Sequence, residues 1–175
     1  MIETIKIGRL RWLHINNPSE EDFEYLGNTL HFHQLDIEDC RQNNQRPKID
    51  IYDDYYFLIL HFPVFDRQNQ FIKPREVKIF WAEDYIITVG KTHWMVDRLF
   101  NTAVQQEKEG IDFEVGTSDA LLYTILEQLM TESVALLRRV GLELEMIGCE
   151  LFGNKPTRVI ERLSVTRKNI IALNT

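Results

Sequence analysis

Read for the alternation of apolar and polar positions, the chain has two regimes. Strand periods prevail up to about residue 90, with one helical interruption, and helical periods prevail from residue 93 onward. Ile2-Glu-Thr-Ile-Lys-Ile-Gly8 and Leu10-Arg-Trp-Leu-His-Ile15 alternate weakly and predict one or two strands before residue 16. Asn17-Pro18-Ser19-Glu20 offers a capping side chain and a proline preset for a first helical position. Phe23, Leu26 and Leu30 follow at helical spacing, so a helix is expected over about 18–31. A short second helix after His33 carries Asp36, Glu38 and Asp39 in the acidic first turns that a helix dipole favours, and should end near Cys40. Arg41 to Pro47 is polar, without an apolar anchor, and reads as a loop. Lys48-Ile-Asp-Ile-Tyr52, Tyr55 to Phe65, Val77-Lys-Ile-Phe-Trp81 and Tyr85-Ile-Ile-Thr-Val89 read as strands, with a polar turn around Asp66 to Gln70. Their close spacing requires a largely antiparallel meander, because parallel neighbours need long crossovers.

Beyond this a helix is expected over about 93–109, then a break at Gly110 to Gly116. A long helix follows from the cap region at Thr117, Ser118 and Asp119. Its Leu122, Ile125, Leu129, Val134, Leu137, Val140, Leu144, Ile147 and Leu151 keep a spacing of three or four over roughly 35 residues, about 50 Å. Gly153-Asn-Lys-Pro156 is a stop and restart, and a last helix begins near Thr157 with its apolar stripe still running at Ile170, Ile171 and Leu173. A sheet layered with helices and extended by a helical hairpin is the α/β architecture this order predicts. The segments are a core over 1–116, an arm helix over 117–152 and a further helix over 156–175, within one domain overall, which suits 175 residues.

Charge changes this picture more than composition does. Hydrophobic residues make up 44% and charged residues 27%, an ordinary globular balance, but the net charge of −7 is unevenly placed. Residues 19–54 hold ten acids and three bases, whereas 155–175 hold five bases and one acid. An acidic surplus lacks the basic stripe that nucleic acid requires, so no nucleic-acid partner is expected. No uncharged apolar run reaches the roughly 18 to 20 residues of a membrane span, and the two cysteines, Cys40 and Cys149, form no disulfide framework. A soluble piece in a reducing, cytoplasmic setting is expected.

Within the acidic stretch, Asp36, Glu38 and Asp39 offer oxygen ligands suited to a hard divalent cation, although the same acids complement a helix dipole without any ion. Asp50, Asp53 and Asp54 read as turn chemistry. His31 and His33 have the His-x-His spacing of some zinc sites, without further ligands to complete a tetrahedron. There is no phosphate-binding glycine loop, nucleophile elbow or zinc-protease helix, and acids beside Cys40 disfavour its thiolate, so no enzyme is expected. A hydrolase using the acids with His31 or His33 would need those side chains in one cleft.

Three ordered segments carry a resemblance: Leu35-Asp-Ile-Glu-Asp-Cys40, Gln45-Arg-Pro-Lys-Ile-Asp50 and Tyr52-Asp-Asp-Tyr-Tyr-Phe-Leu-Ile-Leu60. They resemble the Leu-Glu-Asp segment, the Gln-Arg-Pro-Lys segment and the aromatic strand of the cytoplasmic domain of the CorA family of magnesium and cobalt channels. Trp12-Leu-His-Ile-Asn16, the helix start at Asp119-Ala-Leu-Leu-Tyr-Thr-Ile-Leu126 and Leu163 to Leu173, with Arg167-Lys168, extend the likeness. The resemblance implies an α/β/α sandwich with a central mixed sheet, a helical arm, and a stalk helix leading into two membrane spans per subunit of a homopentamer at the inner membrane. It implies regulatory Mg²⁺, or Co²⁺ or Zn²⁺, weakly held between cytoplasmic domains to keep the pore shut. The sensing carboxylates fall on Glu38 and Asp39, with Asp36 as an outer contributor. The family's pore signature, membrane spans and stalk carboxylate are not in these 175 residues. Zinc transport and a stand-alone scaffold, docking partner helices on the unfinished apolar stripe, are the other readings.

Overall fold

Strands β1 (Ile2–Ile7) and β2 (Leu10–Ile15) pair antiparallel, and the turn between them places Gly8 at φ +61°, a conformation that glycine reaches without a Cβ penalty. The computed structural model describes residues 2–90, 93–111, 113, 115–151 and 156–173. Four further strands follow, β3 (Lys48–Ile51), β4 (Tyr56–Asp66), β5 (Phe71–Trp81) and β6 (Tyr85–Val89). The sheet order is β1-β2-β6-β5-β4-β3, so the last four strands are the expected meander and the N-terminal hairpin is added at its β6 edge. That addition is parallel, with Trp12 opposite Ile86 and Ile15 opposite Val89, and it makes an otherwise antiparallel sheet mixed.

Alternation along the central strands assigns each face. On β2 and β6, Leu13, Ile15, Ile87 and Val89 join Phe23, Leu26, Phe32 and Ile37 of the N-terminal helical segment in one buried cluster. Trp12 and His14 lie on the opposite face, against Phe100 of α3 (Trp94–Glu109), with ring centroids 5.1 and 4.8 Å apart. Helices thus cover both faces, and the resulting α/β/α sandwich carries the fold expected. A buried polar chain crosses the α3 side: the His14 ring nitrogens meet Thr88 Oγ1 at 2.8 Å and Asp97 Oδ1 at 3.1 Å, and Trp12 Nε1–H donates to Thr88 Oγ1.

Some boundaries differ from the sequence reading for identifiable reasons. The first helix, α1 (Glu20–Glu24), is capped by Ser19 and not Asn17, because Ser19 and Asp22 form a reciprocal capping box while Asn17 sits at φ +51°. It passes into a π-helical turn at Tyr25–Thr29 and ends short of residue 31, where His31 takes φ +58°. Strand β5 begins at Phe71, ahead of the expected Val77, and includes Pro74, which is exposed. The helix α4 (Ser118–Leu151) has 34 residues, as expected, and α5 spans Pro156–Leu173. The stop predicted at Gly153 to Lys155 lies outside the described residues. By length and composition α4 is long and apolar enough to cross a membrane, with a window of mean hydropathy 1.3 that is 28% buried. Glu127 and Glu132 interrupt its apolar sequence, so it contains no charge-free run of spanning length.

The chain divides into two compact units, one formed by 1–60 with 76–128 and the other by 61–75 with 129–175. The second unit has its own small core of Ile72, Leu136 and Val140, over which Phe65, Ala172 and Leu173 pack. The Arg139 guanidinium lies 4.0 Å over the Phe65 ring, the Ile72 N–H donates to Asn169 Oδ1 at 2.7 Å, and Arg162 binds both Glu143 and Glu150. At the hairpin tip Asp66 accepts bonds from the Gln68 and Asn69 backbone and pairs with Lys73 at 2.7 Å, which holds its carboxyl well below the usual range.

Candidate functional site

The acidic stretch converges in the first unit on the short helix α2 (Gln34–Arg41). His33 caps it: its backbone is extended and its Nδ1 accepts from the Leu35 N–H at 3.2 Å. Asp36, Ile37 and Cys40 face inward at helical spacing, which leaves Glu38 exposed and Asp39 at the margin. The next element is β3, whose period of two puts Lys48 and Asp50 on one face and turns Ile49 and Ile51 outward.

Asp36 is fully buried and hydrogen-bonded. Tyr55 donates to its Oδ2 at 2.9 Å and Tyr52 to its Oδ1 at 3.1 Å, while the Tyr55 oxygen accepts from the His33 N–H at 2.8 Å. The rings stack in series, His33 on Tyr52 and Tyr52 on Tyr55, with centroids 5.6 and 4.5 Å apart. Burial raises the Asp36 carboxyl above its ordinary value, and the two phenols only partly counter that. Burial and the neighbouring Asp36 charge in turn push Tyr52 up to about 12 and raise Tyr55 as well.

One carboxylate oxygen each of Asp36, Asp39 and Asp50 lies within 4.8 Å of the others, a spacing that a divalent ion can bridge. The space already has a cation. Lys48 Nζ lies 2.6 Å from Asp39 Oδ2 and also bonds Asp50. Burial alone would lower the Lys48 ammonium, but its bonds to Asp39 and Asp50 and their charge more than offset this and hold it above its usual value.

The expected ligands therefore separate. Asp36 and Asp39 come together, with Asp36 inside the fold. Glu38 stands apart, exposed, and its carboxylate makes no hydrogen bond or ion pair with the described residues. Asp50, read from the sequence as turn chemistry, joins the cluster, and Lys48 and the two tyrosines are partners that the sequence reading did not assign; the same-face spacing of Lys48 and Asp50 is the signal that points to them. His31 and His33 are not in the acidic group, and the capping bond leaves His33 only its Nε2. Cys40 is buried and its thiol pushed up to about 12, chiefly by burial, with Asp36 and Asp39 adding to it.

A family model described as CorA-like Mg²⁺ transporter protein matches residues 8–175. The chain belongs to this CorA-like family. Among relatives, the cobalt/magnesium transport protein CorA of Thermotoga maritima is 20% identical over 168 residues, covering 93% of this chain and 46% of the relative. The chain thus spans less than half the length of that CorA protein. The complete structure of the CorA magnesium transporter from Methanocaldococcus jannaschii superposes with a TM-score of 0.75 at 22% identity, over 96% of this chain and 52% of that one. The ZntB cytoplasmic domain from Vibrio parahaemolyticus gives 0.64 at 16% identity, over 95% of this chain and 67% of that one. At these identities the two superpositions establish a shared fold. Within that fold, the three segments singled out from the sequence form α2, β3 and the start of β4 and supply every member of the acidic cluster.

Proposed function

We propose that this chain is the cytoplasmic part of a CorA-like magnesium and cobalt transporter, and that it senses divalent cations through Glu38 and Asp39 at the surface of α2. The observation that carries this reading is the division of labour among the carboxylates. Asp36 is bound by two phenols and Asp39 leans on Lys48, whereas Glu38 is exposed and unengaged among the described residues. A hard divalent ion held by one or two such oxygens keeps most of its water and binds weakly, which suits a response to millimolar changes. In a homopentamer the ion would be shared between neighbouring copies and would reduce repulsion between their acidic surfaces. Asp36 contributes to this reading as the group that fixes α2 and not as a ligand.

The test is a titration of the chain with Mg²⁺ at low ionic strength, read as thermal midpoint and as self-association. A bound ion at ten times its Kd stabilises by about 1.4 kcal/mol. Mg²⁺ should raise the midpoint of the wild type and promote assembly, and Glu38→Gln and Asp39→Ala should lose most of both effects. Equal responses in all three proteins, or none in the wild type, would refute the sensing role. Parallel titrations with Co²⁺ and Zn²⁺ rank the ions, and a strong preference for Zn²⁺ would move the reading to zinc transport.

A further inference from the structure

The apolar positions of α4 in the second unit form two faces where the sequence suggests one. Leu136, Val140 and Ile147 are buried, whereas Val134, Leu137, Leu144 and Leu151 are 43, 58, 41 and 56% exposed. Gly141 and Gly148, also exposed, fall on the same line, so the outer face reads 134, 137, 141, 144, 148 and 151. This three-four alternation is the repeat of a helix–helix seam. A Cβ built on either glycine meets no atom within 4 Å, so nothing among the described residues requires their small size, and each lowers helix propensity. A surface from beyond the described residues would use the space they leave.

We propose that this seam pairs antiparallel with the same seam of a second copy of the chain. The residues select the direction. Parallel pairing stacks like positions, which sets Gly141 on Gly141 and Gly148 on Gly148 and leaves voids between layers of leucine. Antiparallel pairing sets Leu137 against Gly148, Leu144 against Gly141 and Val134 against Leu151, so each glycine receives a leucine. The same alignment brings Arg138 opposite Glu145, twice by symmetry. Both are exposed and neither has an ion-pair partner among the described residues. Sliding by one heptad either way opposes Arg138 to Arg138 or Glu145 to Glu145, so charge selects one register. The paired segment, 134–151, is about 25 Å long. A two-fold contact of this kind is not available between neighbours in a five-fold ring, so the pairing links copies outside one ring and goes beyond the proposed ion sensing.

Analytical ultracentrifugation of the whole chain over a concentration series, in EDTA, tests the pairing. The expected result is a reversible dimer. Arg138→Glu or Glu145→Arg should weaken it about tenfold, the change given by replacing two attractive surface pairs with two repulsive ones, and the double exchange should restore it. Gly148→Leu should abolish the dimer without lowering the thermal midpoint of the monomer. A single monomeric species at every concentration, a double exchange that fails to restore association, or a dimer indifferent to Gly148→Leu would each overturn the proposal. So would binding of the monomer to phosphatidylcholine vesicles that Gly148→Leu leaves intact. A Mg²⁺-dependent assembly with no dimer in EDTA would uphold the sensing role and overturn this pairing.

Discussion

The Tyr55 hydroxyl makes two bonds at once, and its removal is the sharpest test of how α2 is anchored. In Tyr55→Phe the buried Asp36 Oδ2 loses a donor at 2.9 Å and the His33 N–H loses its acceptor at 2.8 Å. A hydrogen bond to a charged group contributes about 1.5–3 kcal/mol, and losing the acceptor of the only part-buried His33 N–H, which water can reach, adds about 1 kcal/mol or less. The ring stays, with its stacking on Tyr52 and its edge contact with Phe32. The expected loss is therefore about 3 kcal/mol, or roughly 6–12 °C in thermal midpoint for a chain of this size. Tyr52→Phe removes one longer bond from a half-buried phenol and should cost only about 1 kcal/mol. Urea unfolding followed by fluorescence and circular dichroism measures both, with an unchanged slope showing that stability alone has moved. Equal losses in the two variants, or a Tyr55→Phe loss below about 1 kcal/mol, would refute the double role of that hydroxyl.

Lys48→Met should leave Asp39 and Asp50 without their cation, lowering stability in EDTA by about 1–3 kcal/mol, and millimolar Mg²⁺ or Ca²⁺ should restore more of it than in the wild type; calorimetric unfolding with and without ion checks this. Thiol labelling at neutral pH should modify the exposed Cys149 quickly and Cys40, buried and raised to about 12, only on unfolding; mass spectrometry of the labelled peptides reads the difference. Asp66 has a depressed carboxyl, so the stability it contributes is complete above its ordinary value of 3.8 and is lost as pH falls through the depressed one. Asp66→Asn should therefore be less stable than the wild type at pH about 7, with the gap closing in strong acid when urea midpoints are compared. Gly110 closes α3 at φ +69°, so Gly110→Ala should cost about 1 kcal/mol in the same assay.

Legibility in the sequence follows the range of the forces involved. Strands β3, β4 and β6 and helices α3 and α4 are set by periodicity and local caps and stand within a few residues of the expected positions, whereas β5 begins six residues ahead of its expected start. The parallel junction of β2 with β6 joins residues more than seventy positions apart, and no local pattern encodes it; only the family resemblance implies a mixed sheet. The π-helical turn at Tyr25–Thr29 escapes for a related reason, since Phe23 and Leu26 fit an ordinary helix as well as a widened one. At the site, the three motif segments name the right neighbourhood, but spacing along α2 cannot say which carboxylate turns inward. That is decided by phenols from the loop between β3 and β4 and by an ammonium on β3. On α4 the apolar spacing is legible and its division is not, because a helix without its neighbours does not reveal which side they occupy.

The ammonium of Lys48 also bears on selectivity. An arriving ion at the Asp36, Asp39 and Asp50 cluster competes with a charged group tethered to the same strand, whose effective concentration is of order millimolar or above. Free magnesium at similar levels gains little by exchange, since it must also shed some of its tightly held water. Such a built-in competitor should keep a divalent ion out of the inner cluster at millimolar concentrations, and under the proposed sensing role the response would rest on Glu38 and the Asp39 oxygen that Lys48 does not engage. It would also let a lysine-to-neutral change convert a structural clamp into an ion trap, without altering a single ligand.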